Sequence, residues 1–135
     1  MKAEIEQVSY VSLSVDAWTS NRQDSYLGIT AHYIYKDEFQ SACLDCSIIT
    51  VPQTAINIAQ RVREVMDDWN IRRKVTAIVT DNGKNMVKAV KDYLKIRHLA
   101  CSAHTLNLVV NDAVTGTAAV NALFDRSSNI VTFFR

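Results

Sequence analysis

The hydrophobic pattern of the chain changes its period at Pro52, and this change restricts the fold more than any other feature. Before Pro52, apolar residues such as Val11, Leu13 and Val15 alternate with polar ones, so one face of each segment is apolar. Short polar turns separate the alternating segments. They are predicted to be three strands of an antiparallel meander: residues 10–16, 26–35 and 39–50.

After Pro52 the apolar residues follow helical spacing. An amphipathic helix is predicted to begin after Thr54 as its N-cap and to end near Trp69, a core residue. Further along, the pattern predicts strands over residues 75–80 and 99–101 and helices over residues 86–94, 104–114 and 120–134. The order β-β-β-α-β-α-β-α predicts an α/β fold, a mixed sheet with packed helices, in one domain.

Composition excludes several classes of protein. The chain has 135 residues, 48% of them hydrophobic, and a net charge of +1, so bulk charge gives no nucleic-acid signal. It has three cysteines, no apolar targeting segment and no apolar run long enough to cross a bilayer. We therefore expect a reduced, soluble, intracellular protein with no membrane association.

Two aspartates, Asp16 and Asp81, each end a predicted strand. If the two strands are parallel neighbours, both carboxylates lie at one edge of the sheet, where open α/β sheets bind ligands. A divalent cation relieves the repulsion between close carboxylates, and Mg²⁺ or Mn²⁺ prefers such oxygen ligands. The alternative is a turn, because Asp81 begins an Asp-Asn-Gly sequence.

The Cys101-Ser-Ala-His104 pair resembles half of a zinc site, and Cys43-Leu-Asp-Cys46 resembles another half. Residues three apart on a strand point to opposite faces, so the Cys43 and Cys46 thiols are expected to diverge. No zinc site is therefore expected. The alternative for Cys101 and His104 is a buried thiol and a hydrogen-bonded histidine.

Four lysines, Lys84, Lys88, Lys91 and Lys95, fall on one face of the predicted helix. Such a stripe can contact phosphates, and it is also typical of a solvated helix face. Trp18 either walls a site near Asp16 or covers the sheet edge, and His32 is expected to be a core or face residue.

Five sequence blocks in order resemble the RNase H-like core of hAT-superfamily transposases, and most resemble the animal BED-type zinc-finger proteins derived from them. The first is S-V-D-A-W-T-S, with Asp16 and Trp18, and the fourth is V-T-D-N-G-K-N-M, with Asp81 and Asn82. The others are D-S-Y-L-G-I-T-A-H-Y-I, T-A-I-N-I-A and C-S-A-H-T-L-N-L.

The resemblance implies a five-stranded sheet in the order 3-2-1-4-5, with Asp16 and Asp81 as the first two acids of a catalytic triad. It implies motif support from Trp18, Asn82, Cys101 and His104. The glutamate that completes the family's triad is expected beyond residue 135, as are the helical insertion and the dimerisation region. The BED finger is also expected to be missing. Without the glutamate, efficient strand transfer is not expected.

The resemblance therefore implies a fragment of a transposase-derived nuclear protein, inactive by itself, that acts through DNA binding or transcriptional regulation. One alternative is a Mg²⁺- or Mn²⁺-dependent transposase or nuclease core whose triad is completed downstream. Another is an interaction scaffold that self-associates through the apolar residues of 120–134.

Overall fold

The chain divides into two compact units, one ending at Cys101 and one beginning at Ser102. The computed structural model describes residues 2–134. The first unit contains, in order, α1 (Lys2–Gln7), β1 (Val11–Thr19), β2 (Ser25–Tyr35), β3 (Glu38–Ile48), α2 (Ala55–Asp68), β4 (Val75–Thr80), α3 (Lys84–Lys88) with a π-helical continuation (Ala89–Leu94), and β5 (Arg97–Ala100).

The five strands form one mixed sheet in the order β3-β2-β1-β4-β5. Strand β2 is antiparallel to both of its neighbours, β1 and β3, which confirms the predicted meander. Strand β4 runs parallel to β1, and β5 runs parallel to β4. The α/β fold and the 3-2-1-4-5 order implied by the resemblance are confirmed. This order makes β1 and β4 neighbours, which alternation alone did not establish.

One face of the sheet carries the core. Leu13 and Val15 of β1 and Ile78 of β4 are buried beneath α2, whose apolar stripe includes Val62 and Met66. Helix α2 begins where it was predicted to begin, since the Thr54 hydroxyl accepts the Asn57 N–H at 3.3 Å. Trp69 packs partly buried against this core, and its indole N–H donates to the Leu44 carbonyl at 3.3 Å.

The sequence pattern did not predict helix α1. Its Ile5 is fully buried, but a single buried residue in a helix of six cannot show a hydrophobic period. The Tyr33 hydroxyl of β2 donates to the Glu4 carboxylate at 3.2 Å. Burial and this hydrogen bond raise the pKa of Tyr33 above its ordinary value. A strand contact therefore holds a helix that is too short to form alone.

A β-bulge in β3 overturns the prediction that the Cys43 and Cys46 thiols diverge. Cys46 pairs with Gly28 and Cys43 pairs with Thr30, because Leu44 and Asp45 together oppose Ile29. Gly28 and Thr30 are two residues apart on β2 and share a face, so both cysteines lie on that face as well. The extra residue in β3 makes a spacing of three equivalent to a spacing of two.

The helix after β4 departs from ideal α geometry. Its second half is π-helical, and it ends at Leu94. Lys95 has a φ of 58°, in the left-handed region, and the N–H groups of Lys95 and Ile96 both donate to the Val90 carbonyl. The prediction that Lys95 continues the lysine stripe along the helix is therefore wrong, because the helix has already ended.

The second unit is a pair of helices, α4 (Ser102–Thr115) and α5 (Ala118–Phe133). The predicted separation of the helices over 104–114 and 120–134 is confirmed. The Gly116 N–H donates to the Asp112 carbonyl at 2.8 Å, and a Cβ at Gly116 would lie 2.9 Å from the same oxygen. Among residues 2–134, none of the helices combines the length and the apolar character needed to cross a membrane.

Candidate functional site

Asp16 lies on the face of the sheet opposite α2. In β1, buried Val15 is followed by exposed Asp16, as the alternation of the strand requires. The Asp16 Oδ1 atom accepts the N–H of Ala17 at 3.1 Å. The carboxylate therefore stands at the exposed surface, and a local hydrogen bond engages one of its two oxygens.

Asp81 directly follows β4. Its Oδ1 atom accepts the N–H of Gly83 at 3.0 Å, which closes a turn leading into α3. A Cβ at Gly83 would lie only 3.0 Å from the same Oδ1 atom, so the absence of a side chain there accommodates the carboxylate. The turn is therefore formed, and it engages only one carboxylate oxygen.

The register between β1 and β4 relates the two aspartates. Leu13 pairs with Ile78 and Ser14 pairs with Val79 in this parallel ladder. The paired residues end there and β4 ends at Thr80; continued by two residues, the same register would bring Asp16 level with Asp81 just beyond the strand. Adjacent strands lie about 5 Å apart, and residues level in a parallel pair share a face. The two carboxylates are therefore candidates for one cation site.

An aromatic wall stands on the other side of Asp16. Gly28 is the β2 partner of Asp16, and the Trp18 ring lies over it and stacks on Tyr26 with centroids 5.5 Å apart. A Cβ at Gly28 would lie 3.0 Å from the Trp18 ring, so glycine permits this approach. Trp18 remains 43% exposed, which fits a wall beside Asp16 as well as a cover over the sheet.

Behind Asp81, His98 of β5 forms a hydrogen bond with Thr80 through Nε2 at 2.9 Å. The Thr80 hydroxyl also donates to the Asp81 carbonyl at 2.6 Å, so His98 Nε2 must carry the hydrogen that Thr80 accepts. Burial and the charge of Lys91 lower the pKa of His98, and the charge of Asp81 opposes them. The neutral form of His98 is therefore favoured more than in an ordinary histidine.

The lysine surface lies beside Asp81 and Asn82. Lys84, Lys88 and Lys91 line one shallow depression, which also contains Asn82, Val87 and Asp92. Lys95 is not among the residues that line it. Since Lys91 and Asp81 both influence His98, the positive surface begins within electrostatic reach of the Asp81 carboxylate. Asp92 offsets one of its three positive charges.

The other two motif residues, Cys101 and His104, lie in different units. The Cys101 N–H donates to the Thr80 carbonyl at 2.8 Å, which continues the pairing with β4 one residue past the end of β5 at Ala100. His104 lies in the first turn of α4, in the other unit. Among residues 2–134, no three His, Cys, Asp or Glu side chains are grouped so that they could hold a metal ion.

The side chains of Asn57, Asn85 and His32 form hydrogen bonds that the spacing of residues in the sequence did not predict. The Asn57 and Asn85 side chains donate to the carbonyls of Pro52 and Gln53, each at 2.8 Å, and so fix the loop before α2. His32 is a face residue, as expected. Its Nε2 forms a 2.8 Å hydrogen bond with Ser14, and its ring stacks on Phe39. Besides Trp18 itself, Gly28 inside β2 was an available signal for the aromatic wall, since a strand glycine marks a close approach.

Comparison with known proteins agrees with these observations. Residues 14–123 match the family described as "ZBED1 RNase-like domain". The chain is 28% identical over 138 residues to the "Putative AC transposase" of Zea mays, covering 91% of this chain and 17% of that protein. It is 21% identical over 136 residues to the "Putative transcriptional regulator tpeD" of Talaromyces stipitatus, covering 91% and 16%.

Among solved structures, Thermus thermophilus RuvC aligns with 67% of this chain and 60% of its own, at 16% identity and a TM-score of 0.41. The chain spans about one sixth of the length of the two relatives named above.

Proposed function

The chain belongs to the family of ZBED1 RNase-like domains, derived from hAT transposases, and from this premise we propose its role. It is the RNase H-like part of a nuclear protein that contacts DNA in transcriptional regulation and does not cleave DNA by itself. The proposal is supported by the parallel register of β1 and β4, which would align Asp16 with Asp81 if continued by two residues, and by the finding that no third acid is grouped with them among residues 2–134.

The two aspartates fit a divalent cation in part. Mg²⁺ is usually held by one or two carboxylates, with water and phosphate oxygens completing the octahedron. Asp16 and Asp81 each retain a second carboxylate oxygen, Oδ2, besides the one engaged by a backbone N–H. A bound Mg²⁺ or Mn²⁺ would neutralise charge on a nearby phosphate. The two aspartates would hold the ion.

The absence of a third acid is the reason to propose inactivity. Phosphoryl transfer depends on positioning and on charge neutralisation at both the attacking and the leaving oxygen. Two carboxylates on one side of a cation do not supply the second half of that arrangement. We therefore expect no strand transfer by this chain, with or without Mn²⁺.

DNA contact is proposed for the lysine surface formed by Lys84, Lys88 and Lys91. Each lysine that neutralises a phosphate contributes about −0.9 to the slope of log K against log salt. Replacing all three with glutamine should therefore reduce the magnitude of the slope by about 2 to 3. The measurement is fluorescence anisotropy with a DNA duplex between 50 and 200 mM salt, roughly the range in which such contacts are lost.

A matched control removes the same charge elsewhere. Arg22, Lys36 and Arg73 are exposed, and none of them lines the lysine depression. Their combined change to glutamine should leave the slope close to that of the unmodified chain. Equal losses in both triple variants would mean that DNA responds to net charge alone, and the proposed surface would then be wrong.

The enzyme alternative rests on the same register. It requires Mg²⁺- or Mn²⁺-dependent nicking of supercoiled DNA that disappears in Asp81→Ala. Nicking that persists in this variant would come from a contaminant. Metal-dependent nicking that Asp81→Ala abolishes would instead establish this chain as an active core and overturn the proposed inactivity.

Self-association is a third candidate, favoured by the apolar surface of the second unit. Phe133 and Phe134 are more than 80% exposed, and Leu123, Phe124 and Ile130 of α5 are each more than half exposed. Sedimentation velocity should detect a concentration-dependent dimer that Phe124→Glu with Ile130→Glu abolishes. Nuclear localisation, proposed from the relatives, is tested by imaging a fluorescent fusion of the protein.

A further inference from the structure

The bulge in β3 places Cys43 and Cys46 side by side on the face of the sheet opposite α2. Their β2 partners, Thr30 and Gly28, are two residues apart, so the two cysteine Cα atoms are separated by roughly 7 Å along the sheet. Both cysteines are exposed, and neither forms a disulfide. The two thiols therefore lie within reach of a single small ligand.

The surroundings leave this pair accessible. Strand β3 is the outer strand of the sheet, and among residues 2–134 no further strand lies beside the cysteines. On the inner side the Trp18 ring covers Gly28, the partner of Cys46, yet Cys46 remains exposed. The Cys43 Sγ atom makes one weak contact, donating to the Asp45 carbonyl at 3.6 Å. A ligand that approaches this face therefore displaces no strong hydrogen bond of Cys43.

The bulge itself is anchored on the opposite face. Asp45, one of the two residues opposing Ile29, accepts from the Arg61 guanidinium of α2 at 3.0 Å and from the Ser47 hydroxyl at 2.8 Å. Burial acts to lower the pKa of Arg61, but hydrogen bonds and charge from Asp45 and Glu64 raise it, so the ion pair is kept. This pair fixes Asp45 toward α2 and, with it, both cysteines away from α2.

We propose that Cys43 and Cys46 form a two-thiol chelate for a soft cation, with monovalent copper as the representative ligand. Soft thiolate ligands select Cu⁺ over the hard cations that carboxylates prefer. The ion displaces both thiol protons, so two protons are released for each copper bound and no oxidation state changes. This site is separate from Asp16 and Asp81, and it does not depend on the proposed function.

The test is an anaerobic titration of the full chain with Cu⁺ in competition with a chromophoric copper chelator. The unmodified chain should bind one copper per chain. Cys43→Ser and Cys46→Ser should each weaken binding about 100-fold or more, because chelation is lost and one thiol remains. Cys101→Ser should leave the affinity unchanged, since the β4–β5 ladder holds that residue away from β3.

A matched variant keeps the number of thiols and changes only their separation. Ser41 is exposed on the same face and is paired with His32, and it lies two paired positions further from Cys46 than Cys43 does. The double variant Cys43→Ser with Ser41→Cys should bind as weakly as Cys43→Ser alone. Urea unfolding of each variant checks that the fold is kept. We expect it to be kept because the substituted positions are exposed.

Two results would overturn the proposal. If the double variant binds copper as tightly as the unmodified chain, the adjacency created by the bulge is irrelevant. If sedimentation shows that copper joins two chains, the thiols of one chain do not form the chelate.

Discussion

Replacing Asp81 separates two opposite effects of its carboxylate on stability. The Oδ1 atom accepts the Gly83 N–H at 3.0 Å, and such a bond contributes about 1 kcal/mol. If the β1–β4 register continues to Asp16, the charges of Asp16 and Asp81 are separated by the spacing of adjacent strands, about 5 Å. In a water-like dielectric, repulsion at that separation costs about 0.8 kcal/mol.

Asp81→Asn keeps an oxygen that can accept the Gly83 N–H and removes the charge. The repulsion from Asp16 that it removes is worth about 0.8 kcal/mol at low salt. Asp81→Ala loses both effects, so its free energy of unfolding should fall about 1 kcal/mol below that of Asp81→Asn. The difference in the free energy of unfolding between the two variants measures the contribution of the hydrogen bond to Gly83, because both variants lack the charge of Asp81.

A double-mutant cycle with Asp16→Asn tests whether the carboxylates are neighbours. The repulsion can be removed only once, so the double variant should gain about 0.8 kcal/mol less than the sum of the single changes. In 1 M salt this coupling should fall to about 0.2 kcal/mol. Urea unfolding followed by circular dichroism gives these values. Additive single changes at low salt would refute the reasoning, because the two charges would then not be adjacent.

Three further predictions concern the supports of the site. Because the pKa of His98 is lowered in the folded protein, the unfolded chain takes up this proton at a higher pH, and stability should fall as the pH drops below about 6.5. The urea midpoints of the unmodified chain at pH 7.5 and 5.5 should therefore differ more than those of His98→Gln, and an equal difference in both proteins would contradict this. Asp45→Ala should lower stability by about 1 to 2 kcal/mol because it leaves Arg61 without its closest carboxylate; equal unfolding curves would exclude that ion pair as a support. Asn85→Ala should lower the free energy of unfolding by about 1 kcal/mol, because the hydrogen bond to the Gln53 carbonyl is lost. The control Asn82→Ala, at a residue that lines the lysine depression, should leave stability nearly unchanged. Equal losses of stability in the two variants would argue against a specific role for Asn85.

The hydrophobic period of the sequence was sufficient to locate the strands and helices that have long apolar patterns. Alternation located β1 and β2 to within a few residues, and helical spacing with Thr54 located the start of α2. These elements bury one face, so the sequence has to repeat along them. Helix α1 was missed because its one buried residue, Ile5, repeats nothing.

Deviations from regular geometry could not be read from the pattern. Nothing in Cys-Leu-Asp-Cys indicates which residue of β3 is the extra one, since the bulge is fixed by a contact between Asp45 and Arg61, 16 residues away. Lys95 also fits a helical stripe in the sequence. Its position is decided instead by the left-handed backbone that ends the helix.

The candidate site depended on sheet order. Strand ends identified Asp16 and Asp81 separately, but their adjacency came from the family resemblance, and the register between β1 and β4 now supports it. Trp18 and Gly28 meet only because β1 and β2 pair with Asp16 opposite Gly28. A residue pair across two strands leaves no signal in the spacing of either strand.

The most direct measurement is the paramagnetic effect of Mn²⁺ on backbone amide signals in NMR. If the ends of β1 and β4 share one cation site, the amides of Ala17 and Gly83 should broaden together at the same Mn²⁺ concentration, and excess Mg²⁺ should reverse both effects. Asp16→Asn should weaken the broadening at both positions. Broadening that appears at only one of the two strand ends, or only near other acidic residues such as Asp112, would contradict a shared site.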